Sequence, residues 1–365
     1  MPNIFIRTNI APYRIDTYNA FHDKLDMIMC FYHRIGRGQK YDIDKMESEC
    51  SFKPKYLKGI TLKNSNRKFC LGLWRILSRE KPKVVIVPEY QISAMQVLLY
   101  RWITRSKFKV ISMTDDSFDM IANHNDFTKL HAWLRNHLTK LFDNFIVVTP
   151  QVQEWYQERF NKGIWLPILM DERKAIANYH RLLPLSKQYA DEYHLLGKKV
   201  LLFVGRLVEL KNLHLVIEAF SLTETDATLV IVGDGPERDS LEEHAKSVDK
   251  EILFTGRFDG DQLYAWYNLA SVFVLNSYQE AFGAVTNEAL LAGCRAIVSN
   301  KAGSSCLVTK DNGEIVDPMD VVAIANAIDR QFSLTIIPTL SSPRSSLMSV
   351  SFEERIDNLV RTINN

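Results

Sequence analysis

The amino-acid sequence predicts an α/β protein with two doubly wound parallel sheets, one in each of two domains. Short apolar runs, typical of buried parallel strands, alternate with helical patterns along the whole chain. The chain has 365 residues, which is enough for two domains. Its charge is uneven, because residues 1–150 carry 24 Lys and Arg against 14 Asp and Glu, while residues 151–365 carry 21 against 29. The two halves are therefore expected to have different partners.

The first half of the chain follows the alternating pattern up to residue 166, which we take as the end of an N-terminal domain. Its predicted strands are continuous apolar runs, and its predicted helices have apolar side chains at helical spacing. Residues 36–61 are polar and irregular. The predicted strands are residues 3–8, 25–32, 84–88, 110–113 and 144–149, and the predicted helices are residues 15–21, 64–79, 93–104 and 128–141.

The second half begins after residues 167–197, a mixed, helical and polar segment that we interpret as the linker and the entry to the second domain. The alternation then resumes and predicts a second domain over residues 198–350, followed by a last helix within residues 351–365. The predicted strands are residues 199–205, 228–232, 252–255, 270–275, 294–299 and 313–316, and the predicted helices are residues 213–220, 240–246, 263–269, 286–292, 321–332 and 352–363.

The composition narrows the class of protein. Hydrophobic residues make up 46% and charged residues 24% of the chain, which is ordinary for a globular protein with a large core. The five cysteines form no CxxC pair, and this suits a reducing compartment. The N-terminus lacks the apolar core of a signal peptide, and no apolar run reaches the roughly 18 residues of a spanning helix. We therefore expect a cytoplasmic protein whose contact with a membrane, if it has one, is peripheral.

The stretch from Asn276 to Gly293 carries the clearest functional signal. It follows an apolar strand, turns through a polar loop that contains Glu280, and enters a helix that contains Glu288. Ligands of open α/β sheets bind where strands lead into helices. There Gly283 lets backbone N–H groups approach an anion, and the helix start adds partial positive charge. The loop carboxylate can bind sugar hydroxyls and the helix carboxylate can reach a ribose; the alternative is two solvated carboxylates near a helix start.

This stretch resembles the E-x7-E motif of the retaining glycosyltransferases of family 4, also called group 1. Seven residues separate Glu280 from Glu288, and the flanking pattern E-x-F-G-x-x-x-x-E-A-L-x-x-G fits as well. A second signature of the family, G-R-L-x-x-x-K-N-L-x-x-x-I-x-A-F, is matched from Gly205 to Phe220. The resemblance covers essentially the whole chain and is specific over residues 200–318.

The resemblance implies a fold and an activity. The fold is GT-B, in which two Rossmann-like domains face each other across a cleft and the C-terminal helix crosses back to the N-terminal domain. The activity is transfer of a sugar, with retention at the anomeric carbon, from a nucleotide diphosphate sugar to a hydroxyl of a glycan or lipid-linked acceptor. The process implied is cell-surface polysaccharide biosynthesis. No metal or other cofactor is implied.

The resemblance also implies residue roles in the second half. Glu280 should orient the donor sugar, while Arg206 and Lys211 follow a strand-ending glycine and should neutralise the leaving diphosphate. These three are the catalytic candidates. The donor-binding candidates are Glu288 for the ribose, with Gly205, Phe282, Gly283, Ala284, Arg257, Phe258, Gly233 and Gly235.

Three residues of the first half are candidates for contact with the acceptor or for lining the cleft. Arg14 stands in a Pro-Tyr-Arg loop, where many family members have paired glycines, and its side chain either reaches the diphosphate or pairs at the surface. Asp115 and Asp116 follow a strand, and either lie near the acceptor and transferred sugar, bind a metal or simply end the strand. The spacing of nearby histidines matches no zinc signature: His124, His131 and His137.

The segment between Lys53 and Lys83 suggests an anionic membrane surface as a partner. It carries ten basic residues and a single acid, Glu80. The helix predicted over residues 64–79 has an apolar face and a basic face, which is the pattern of a helix that lies in a membrane interface. The alternative is that the apolar face packs on the sheet.

Two other functions remain open. A nucleotide-sugar epimerase can have the GT-B fold, and formation of an epimer from a nucleotide sugar without acceptor would identify it. A nucleic-acid-binding or scaffold protein could use the basic half. However, its Lys and Arg are not interleaved with stacking aromatic residues, so we expect no nucleic-acid partner.

Overall fold

The computed structural model describes residues 2–35, 42–61, 68–122 and 129–364. Contacts within the chain divide it into two compact units. The first unit consists of Met1–Leu169 together with Glu353–Asn365, and the second consists of Met170–Phe352. Each unit is built on its own parallel sheet, so the predicted α/β class with two doubly wound sheets is confirmed.

The strands of the first unit are β1 Asn3–Arg7, β2 Met27–Phe31, β3 Lys55–Tyr56, β4 Gly59–Thr61, β5 Lys68–Cys70, β6 Val84–Pro88, β7 Lys109–Met113, β8 Asn144–Val147 and β9 Ile164–Trp165. Among the described residues seven of them form one sheet in the order β3-β2-β1-β6-β7-β8-β9, with every pair parallel. The topological switch point, where ligands of such sheets bind, therefore lies between β1 and β6.

The helices of the first unit cover both faces of this sheet, because its strands are apolar on both sides. The carboxyl-terminal helix of the chain also belongs to this unit. The helices before residue 169 are α1 Ile15–Leu25, α2 Ile43–Ser48, α3 Leu73–Glu80, α4 Ile92–Thr104, α5 Phe118–Ala122, α6 Lys129–Leu138 and α7 Pro150–Phe160, with short 3-10 turns at Pro12–Arg14 and Thr139–Leu141.

The second unit contains the strands β10 Val200–Val204, β11 Thr228–Val232, β12 Glu251–Gly256, β13 Val272–Leu275, β14 Arg295–Ser299 and β15 Gly313–Val316. Their order in the described sheet is β12-β11-β10-β13-β14-β15, again with all pairs parallel. The switch point therefore lies between β10 and β13. The helices are α8 Glu172–Arg181, α9 Leu183–Glu192, α10 Leu213–Ser221, α11 Arg238–Lys246, α12 Asp261–Leu269, α13 Val285–Leu291 and α14 Val321–Ser333, and the last helix of the chain is α15 Phe352–Asn364.

Two helices lie within the segment interpreted as a linker, and both belong to the second unit. The side chain of Asp171 caps α8 by accepting hydrogen bonds from the backbone N–H groups of Arg173 and Lys174, at 3.0 and 3.3 Å. Tyr179 of α8 and Tyr189 of α9 are buried. This segment therefore packs as part of the second unit and is not an extended connection.

Helix α7 is absent from the predicted elements, although the sequence contains the signals for its start. Thr149 is its N-cap and accepts a hydrogen bond from the backbone N–H of Val152 at 3.4 Å. Pro150 occupies the first turn, where a missing N–H costs nothing. A cap residue followed by proline is a recognised helix start.

The helix predicted over residues 64–79 is wrong in its first half. Lys68–Cys70 is the strand β5, which pairs antiparallel with β4, and helix α3 begins only after Gly72, whose φ is +78°. The apolar side chains of α3, Leu73 and Leu77, are 0% and 1% exposed and belong to the core of the first unit. The apolar face of this helix therefore packs inside the protein, because hairpin pairing and burial outweigh the helical periodicity of the segment.

Residues 36–61, predicted to be irregular, also contain regular structure. Residues 36–41 lie outside the described part of the chain, whereas α2, β3 and β4 lie within the rest. These elements are short, and β3 contributes only two residues to the edge of the sheet. Elements of this length produce too little periodic pattern to be recognised in the sequence.

Candidate functional site

The candidate residues of the second unit follow the carboxyl ends of its strands. Gly205 and Arg206 follow β10, Gly233 follows β11, Arg257 follows β12, and Glu280 stands in the loop after β13. Because β10 and β13 are neighbours at the switch point, their loops lie side by side. The geometry thus brings residues from distant parts of the sequence to the edge of the sheet where ligands bind.

Two of the three predicted catalytic residues are in direct contact. Lys211 forms an ion pair with Glu280, and their side chains are 19% and 21% exposed. The backbone N–H of Tyr278 also donates to the carbonyl oxygen of Leu210 at 3.0 Å, which fastens the two loops together. An incoming diphosphate would therefore compete with Glu280 for the ammonium group of Lys211, and a sugar hydroxyl could take the place of Lys211 on Glu280.

Arg206, the third predicted catalytic residue, is exposed in the turn after β10. Within the described part of the chain its guanidinium group has no hydrogen-bond or ion-pair partner. It is therefore free to bind an anion at the same edge of the sheet, and a guanidinium group suits phosphate oxygens because it can donate two parallel hydrogen bonds.

The loop that carries Glu280 is held by the loop after β14. The backbone N–H of Glu280 donates to the carbonyl oxygen of Lys301 at 3.3 Å, and the N–H of Gly303 donates back to the carbonyl oxygen of Glu280 at 3.1 Å. The N–H of Ser304 donates to the carbonyl oxygen of Phe282 at 2.7 Å. These three bonds fix the backbone of the Glu280 loop, so its carboxylate projects from a rigid support.

Gly283 is needed where it stands because its φ is +93° and its surroundings are close. A Cβ atom there would lie 2.6 Å from Cδ2 of Leu275 and 3.3 Å from Cγ of Glu280. Ala284 follows as the N-cap of α13, and both residues are partly exposed beside Glu280. Phe282 differs, since it is 2% exposed and its ring packs in the interior.

Glu288 lies one turn into α13 and is 8% exposed. The hydroxyl of Tyr267 donates to Oε2 of Glu288 at 2.7 Å, and the hydroxyl of Tyr179 donates to its backbone carbonyl oxygen at 2.9 Å. Burial raises the pKa of the Glu288 carboxyl, and the hydrogen bond from Tyr267 partly opposes that rise. Neither tyrosine was predicted as a site residue, because both belong to segments that carry no recognisable motif.

Gly233 and Gly235 let the turn after β11 pack directly on the turn that carries Arg206. A Cβ atom on Gly233 would lie 1.8 Å from the carbonyl oxygen of Gly205, and one on Gly235 would lie 2.2 Å from the carbonyl oxygen of Leu207. The backbone N–H of Leu207 also donates to the carbonyl oxygen of Asp234 at 3.0 Å. These glycines therefore position the Arg206 turn through close backbone contact.

Arg257 and Phe258 follow β12 at the outer side of the same edge. Arg257 is exposed and pairs with Asp259 at 3.0 Å. The ring of Phe258 lies 5.7 Å from that of Tyr189 and 5.8 Å from that of Trp266. Phe258 therefore packs against α9 and α12.

The candidates of the first unit also lie at the carboxyl edge of their sheet. Asp115 is bound by two arginines: Arg7 at 2.8 Å and Arg14. The side chain of Arg14 is fully buried, and its Nε and Nη1 atoms have no hydrogen-bond partner among the described residues. Burial alone would raise the pKa of Asp115, but Arg14 and Arg7 outweigh it and hold the pKa below its ordinary value. Asp115 is therefore a carboxylate, and it is a third exposed.

Asp116 belongs to a separate buried group. Its carboxyl pairs with Arg135 of α6, whose Nε lies 3.6 Å from Oε1 of Glu89. Thr114 and Tyr156 donate to Glu89 at 2.7 and 3.2 Å. Burial, reinforced by the Glu89 carboxylate, raises the pKa of Asp116 well above its ordinary value.

Arg7, Glu89 and Arg135 were not among the predicted site residues. Glu89 directly follows the buried strand β6, as Asp115 and Asp116 follow β7, so the same rule could have found it. Arg7 ends β1 and Arg135 is a helix residue with no motif around it. Their participation depends on which strands become neighbours, and this is a property of the tertiary fold.

The described residues contain no group of three or more His, Cys, Asp or Glu side chains arranged to hold a metal ion. Asp115 pairs with Arg7 and Arg14, whereas Asp116 pairs with Arg135. Of the three histidines considered, His124 and the side chain of His131 lie outside the described part of the chain. His137 contacts the carbonyl oxygen of Trp133 through Nδ1 at 2.8 Å.

Comparison with known proteins finds a family match within the second unit. Residues 187–336 match the family model described as glycosyl transferases group 1, which confirms the resemblance to group 1 for this part of the chain, while family 4 and retention stay predictions. An uncharacterized glycosyltransferase of Methanocaldococcus jannaschii is 37% identical over 141 residues, which are 37% of this chain and 36% of that protein. The match thus spans about a third of the length of the curated relative.

Solved structures resemble the whole chain. The apo form of the lipopolysaccharide outer core galactosyltransferase WaaB has a TM-score of 0.69 at 16% identity, covering 99% of each chain. HepE of Anabaena, in complex with UDP, has a TM-score of 0.71 at 14% identity, covering 100% of this chain and 97% of that one. These likenesses show that the chain has the GT-B fold.

We predict that Gly233→Ala destabilises the second unit by about 1–3 kcal/mol, because the new methyl group would collide with a backbone carbonyl that cannot move without disturbing the sheet. Gly197→Ala is the matched control. Its φ is +73°, but no atom of the described residues lies within 4 Å of the position of its Cβ atom, so it should show only the roughly 1 kcal/mol that a left-handed alanine costs. Thermal unfolding of the two variants measures the difference, and equal melting temperatures would contradict the close packing of the two turns.

Proposed function

We propose that this protein, whose second unit carries a group 1 glycosyl transferase domain, transfers a sugar from a nucleotide diphosphate sugar to an acceptor hydroxyl with retention at the anomeric carbon. The observation that carries the proposal is the contact between Lys211 and Glu280 beside Arg206, at the switch point of the second sheet. Two cations and one carboxylate at this edge match what a sugar diphosphate requires: charge for the leaving group and an acceptor for sugar hydroxyls.

Arg206 and Lys211 bind the diphosphate and stabilise the negative charge that grows on it as the glycosidic bond breaks. In a site that excludes water, such preorganised charges contribute several kcal/mol to the transition state, on the order of 3–4 for a single donor. We propose that they make a metal ion unnecessary. The UDP bound by HepE supports a nucleoside diphosphate as the leaving group and makes UDP the first nucleotide to test.

Glu280 accepts hydrogen bonds from the donor sugar, and Glu288 accepts them from the ribose. The rigid loop around Glu280, fastened to the loop after β14, supports this role because orientation within the bound complex can supply much of the rate. Glu280 then holds the sugar and Glu288 holds the nucleotide. The acceptor hydroxyl can approach the anomeric carbon from the same face of the sugar that the diphosphate leaves. No protein nucleophile is assigned.

The first unit binds the acceptor, which we propose is a glycan or lipid-linked glycan of the cell surface. Of the three candidates at the carboxyl edge of the first sheet, Asp115 supports this, because the side chains of Arg14 and Asp116 are buried. Asp115 is a partly exposed carboxylate fixed by two arginines, so it can accept hydrogen bonds from sugar hydroxyls in a defined geometry. The similarity to WaaB, a galactosyltransferase of lipopolysaccharide, agrees with a surface glycan.

We also propose that the first unit rests on the anionic inner surface of a membrane, as a peripheral protein. No helix in the described residues is long and apolar enough to cross a bilayer. Since Leu73 and Leu77 are buried, the apolar contacts must come from elsewhere than the face of α3. Helix α4 supplies them, because Leu99, Trp102 and Ile103 form one exposed stripe, at 46%, 77% and 54% exposure.

Basic residues surround this stripe. Arg105 and Lys107 follow α4 directly and are exposed, and residues 92–107 contain no acid. Trp74 of α3 joins α4 through a 3.0 Å hydrogen bond to the carbonyl oxygen of Gln96, and the neighbouring Arg75 is exposed. An exposed apolar stripe bordered by cations suits an anionic lipid surface, where each cation contributes roughly 1 kcal/mol.

We predict that Glu280→Gln lowers turnover at least tenfold, which corresponds to about 1.4 kcal/mol of transition-state stabilisation, with little effect on folding. Glutamine keeps the size of the side chain but removes the charge that orients the sugar. The neighbouring exposed Glu209 supplies the control, because Glu209→Gln removes a similar charge outside the Lys211 contact. Steady-state assays with a donor sugar and an acceptor extract measure both variants, and wild-type turnover in a folded Glu280→Gln protein would refute the role.

We predict that Arg206→Ala and Lys211→Ala weaken binding of a nucleoside diphosphate and spare binding of the nucleoside, because only the diphosphate contacts these cations. Lys246→Ala is the control, since Lys246 is an exposed cation that pairs only with Glu243 among the described residues. Calorimetric titration separates the two ligands, and an equal loss for both would contradict the assignment. Activity should persist in EDTA; its loss, with recovery on adding magnesium, would contradict the proposal that these cations make a metal ion unnecessary.

We predict that the protein sediments with anionic liposomes at low salt and is released as salt is added. Replacing Trp102 and Ile103 by serine should remove binding, since it removes the apolar insertion. Ile336→Ser is the control, because Ile336 is 81% exposed but belongs to the second unit. Equal binding to neutral and anionic liposomes, or no binding at all, would leave a soluble acceptor as the better proposal.

A further inference from the structure

We infer that Tyr267 is a positioning residue, which holds the Glu288 carboxylate in the orientation that accepts hydrogen bonds from the ribose of the donor. This inference rests on the proposed function, in which Glu288 contacts the ribose. It adds a residue from outside the two family signatures to the donor site.

The contact is built by two helices of the second unit. Tyr267 lies in α12 and is 0% exposed, while Glu288 lies in the first turns of α13. The tyrosine hydroxyl donates to Oε2 of the carboxylate at 2.7 Å. A second tyrosine, Tyr179 of α8, donates to the backbone carbonyl oxygen of Glu288 at 2.9 Å. Of these two hydroxyl groups, only that of Tyr267 contacts the carboxylate, whereas that of Tyr179 contacts a backbone carbonyl oxygen of α13.

The chemistry of the contact leaves a role for a ligand. In the part of the chain that the structure describes, no Lys or Arg pairs with Glu288, and Oε1 accepts no hydrogen bond. A buried carboxylate without a counter-ion is costly unless hydrogen bonds offset its lost hydration. Tyr267 provides one such bond, to Oε2. The other carboxylate oxygen, Oε1, is left to accept a hydrogen bond from another donor. A ribose hydroxyl has the required chemistry.

The ring of Tyr267 also packs, so its hydroxyl must be tested separately from its bulk. Its ring centroid lies 6.3 Å from those of Tyr179 and Phe273. Tyr267→Phe keeps this packing and removes only the hydroxyl. Tyr179→Phe is the matched control, because it removes a buried tyrosine hydroxyl that contacts the same glutamate at its backbone and not at its carboxylate.

The protonation of Glu288 provides an independent measurement. Burial raises its pKa and the hydrogen bond from Tyr267 lowers it, so losing that bond should raise the pKa further. The carboxylate form accepts ribose hydrogen bonds, so the contribution of the ribose to nucleotide affinity is lost as pH falls through this pKa. Tyr267→Phe should therefore move the acidic limb of binding to higher pH. The other titratable or charged groups around Glu288 and its tyrosine partners, Tyr264, Cys294 and Arg344, are unchanged in this variant.

The experiment measures, across pH, the affinity of the full-length protein for UDP, GDP and ADP and for their 2′-deoxy counterparts. The wild type should prefer the ribonucleotide, and Glu288→Ala should abolish that preference. Tyr267→Phe should lose about tenfold in affinity for the ribonucleotide, because the carboxylate that accepts from the ribose loses the hydrogen bond that orients it. Its preference over the deoxynucleotide should narrow and its acidic limb should shift to higher pH. Tyr179→Phe should lower the melting temperature but leave both the preference for the ribonucleotide and the acidic limb of binding as in the wild type.

Two failures are distinguishable. If the wild type binds no nucleotide, or binds the ribonucleotide and the 2′-deoxynucleotide equally, the proposed contact of Glu288 with the ribose is wrong. The inference about Tyr267 then falls with it. If Glu288→Ala loses the preference but Tyr267→Phe keeps both the preference and the acidic limb, the proposed function stands. In that case Tyr267 only packs, and the inference alone is overturned.

Discussion

The parallel direction of the strands is the constraint on which both candidate sites depend. In a parallel sheet all carboxyl ends lie at one edge, so every loop that leaves a strand begins beside the others. In the second unit this places the turn with Arg206 next to the loop with Glu280. The strands that impose it are held by burial, since Leu201, Leu202 and Phe203 of β10 are 0% exposed. The hydrophobic core therefore sets the geometry of polar residues that do not belong to it.

Opposite charges form ion pairs at the carboxyl edge of each sheet. Lys211 pairs with Glu280 in the second unit, and Arg7 and Arg14 pair with Asp115 in the first. A partly buried charge costs hydration, and a neighbouring opposite charge offsets part of that cost. A sugar phosphate could also replace the contact within each pair. Its phosphate oxygens can accept hydrogen bonds from the cation, and its hydroxyl groups can donate to the carboxylate. Glu288 differs, because the Tyr267 hydroxyl is the partner of its carboxylate and, among the residues that the structure describes, no Lys or Arg pairs with it.

The first unit shows how burial can give two adjacent residues opposite properties. Asp115 and Asp116 are neighbours in sequence, yet two arginines lower the pKa of Asp115, while burial and Glu89 raise that of Asp116. The first is a partly exposed carboxylate and the second lies in a buried network with Arg135. Such separation of pKa values is typical of functional sites. It cannot be read from a pair of adjacent aspartates, which look equivalent in the sequence.

The amino-acid pattern predicted the α/β class, the strands Thr228–Val232 and Gly313–Val316, and the loops that carry Glu280, Arg206 and Lys211. Buried strands and signature loops are local patterns, so local spacing is enough to recognise them. Long-range packing, in contrast, makes residues 68–70 pair with β4 where a helix was predicted, and it places the helices of residues 172–192 in the second unit. Tertiary structure also places Tyr267, Arg7 and Arg135 beside their charged partners. These contacts join elements that are far apart in the chain. Burial selects among the pairings that such elements could form, and the local periodicity of the sequence does not record that burial.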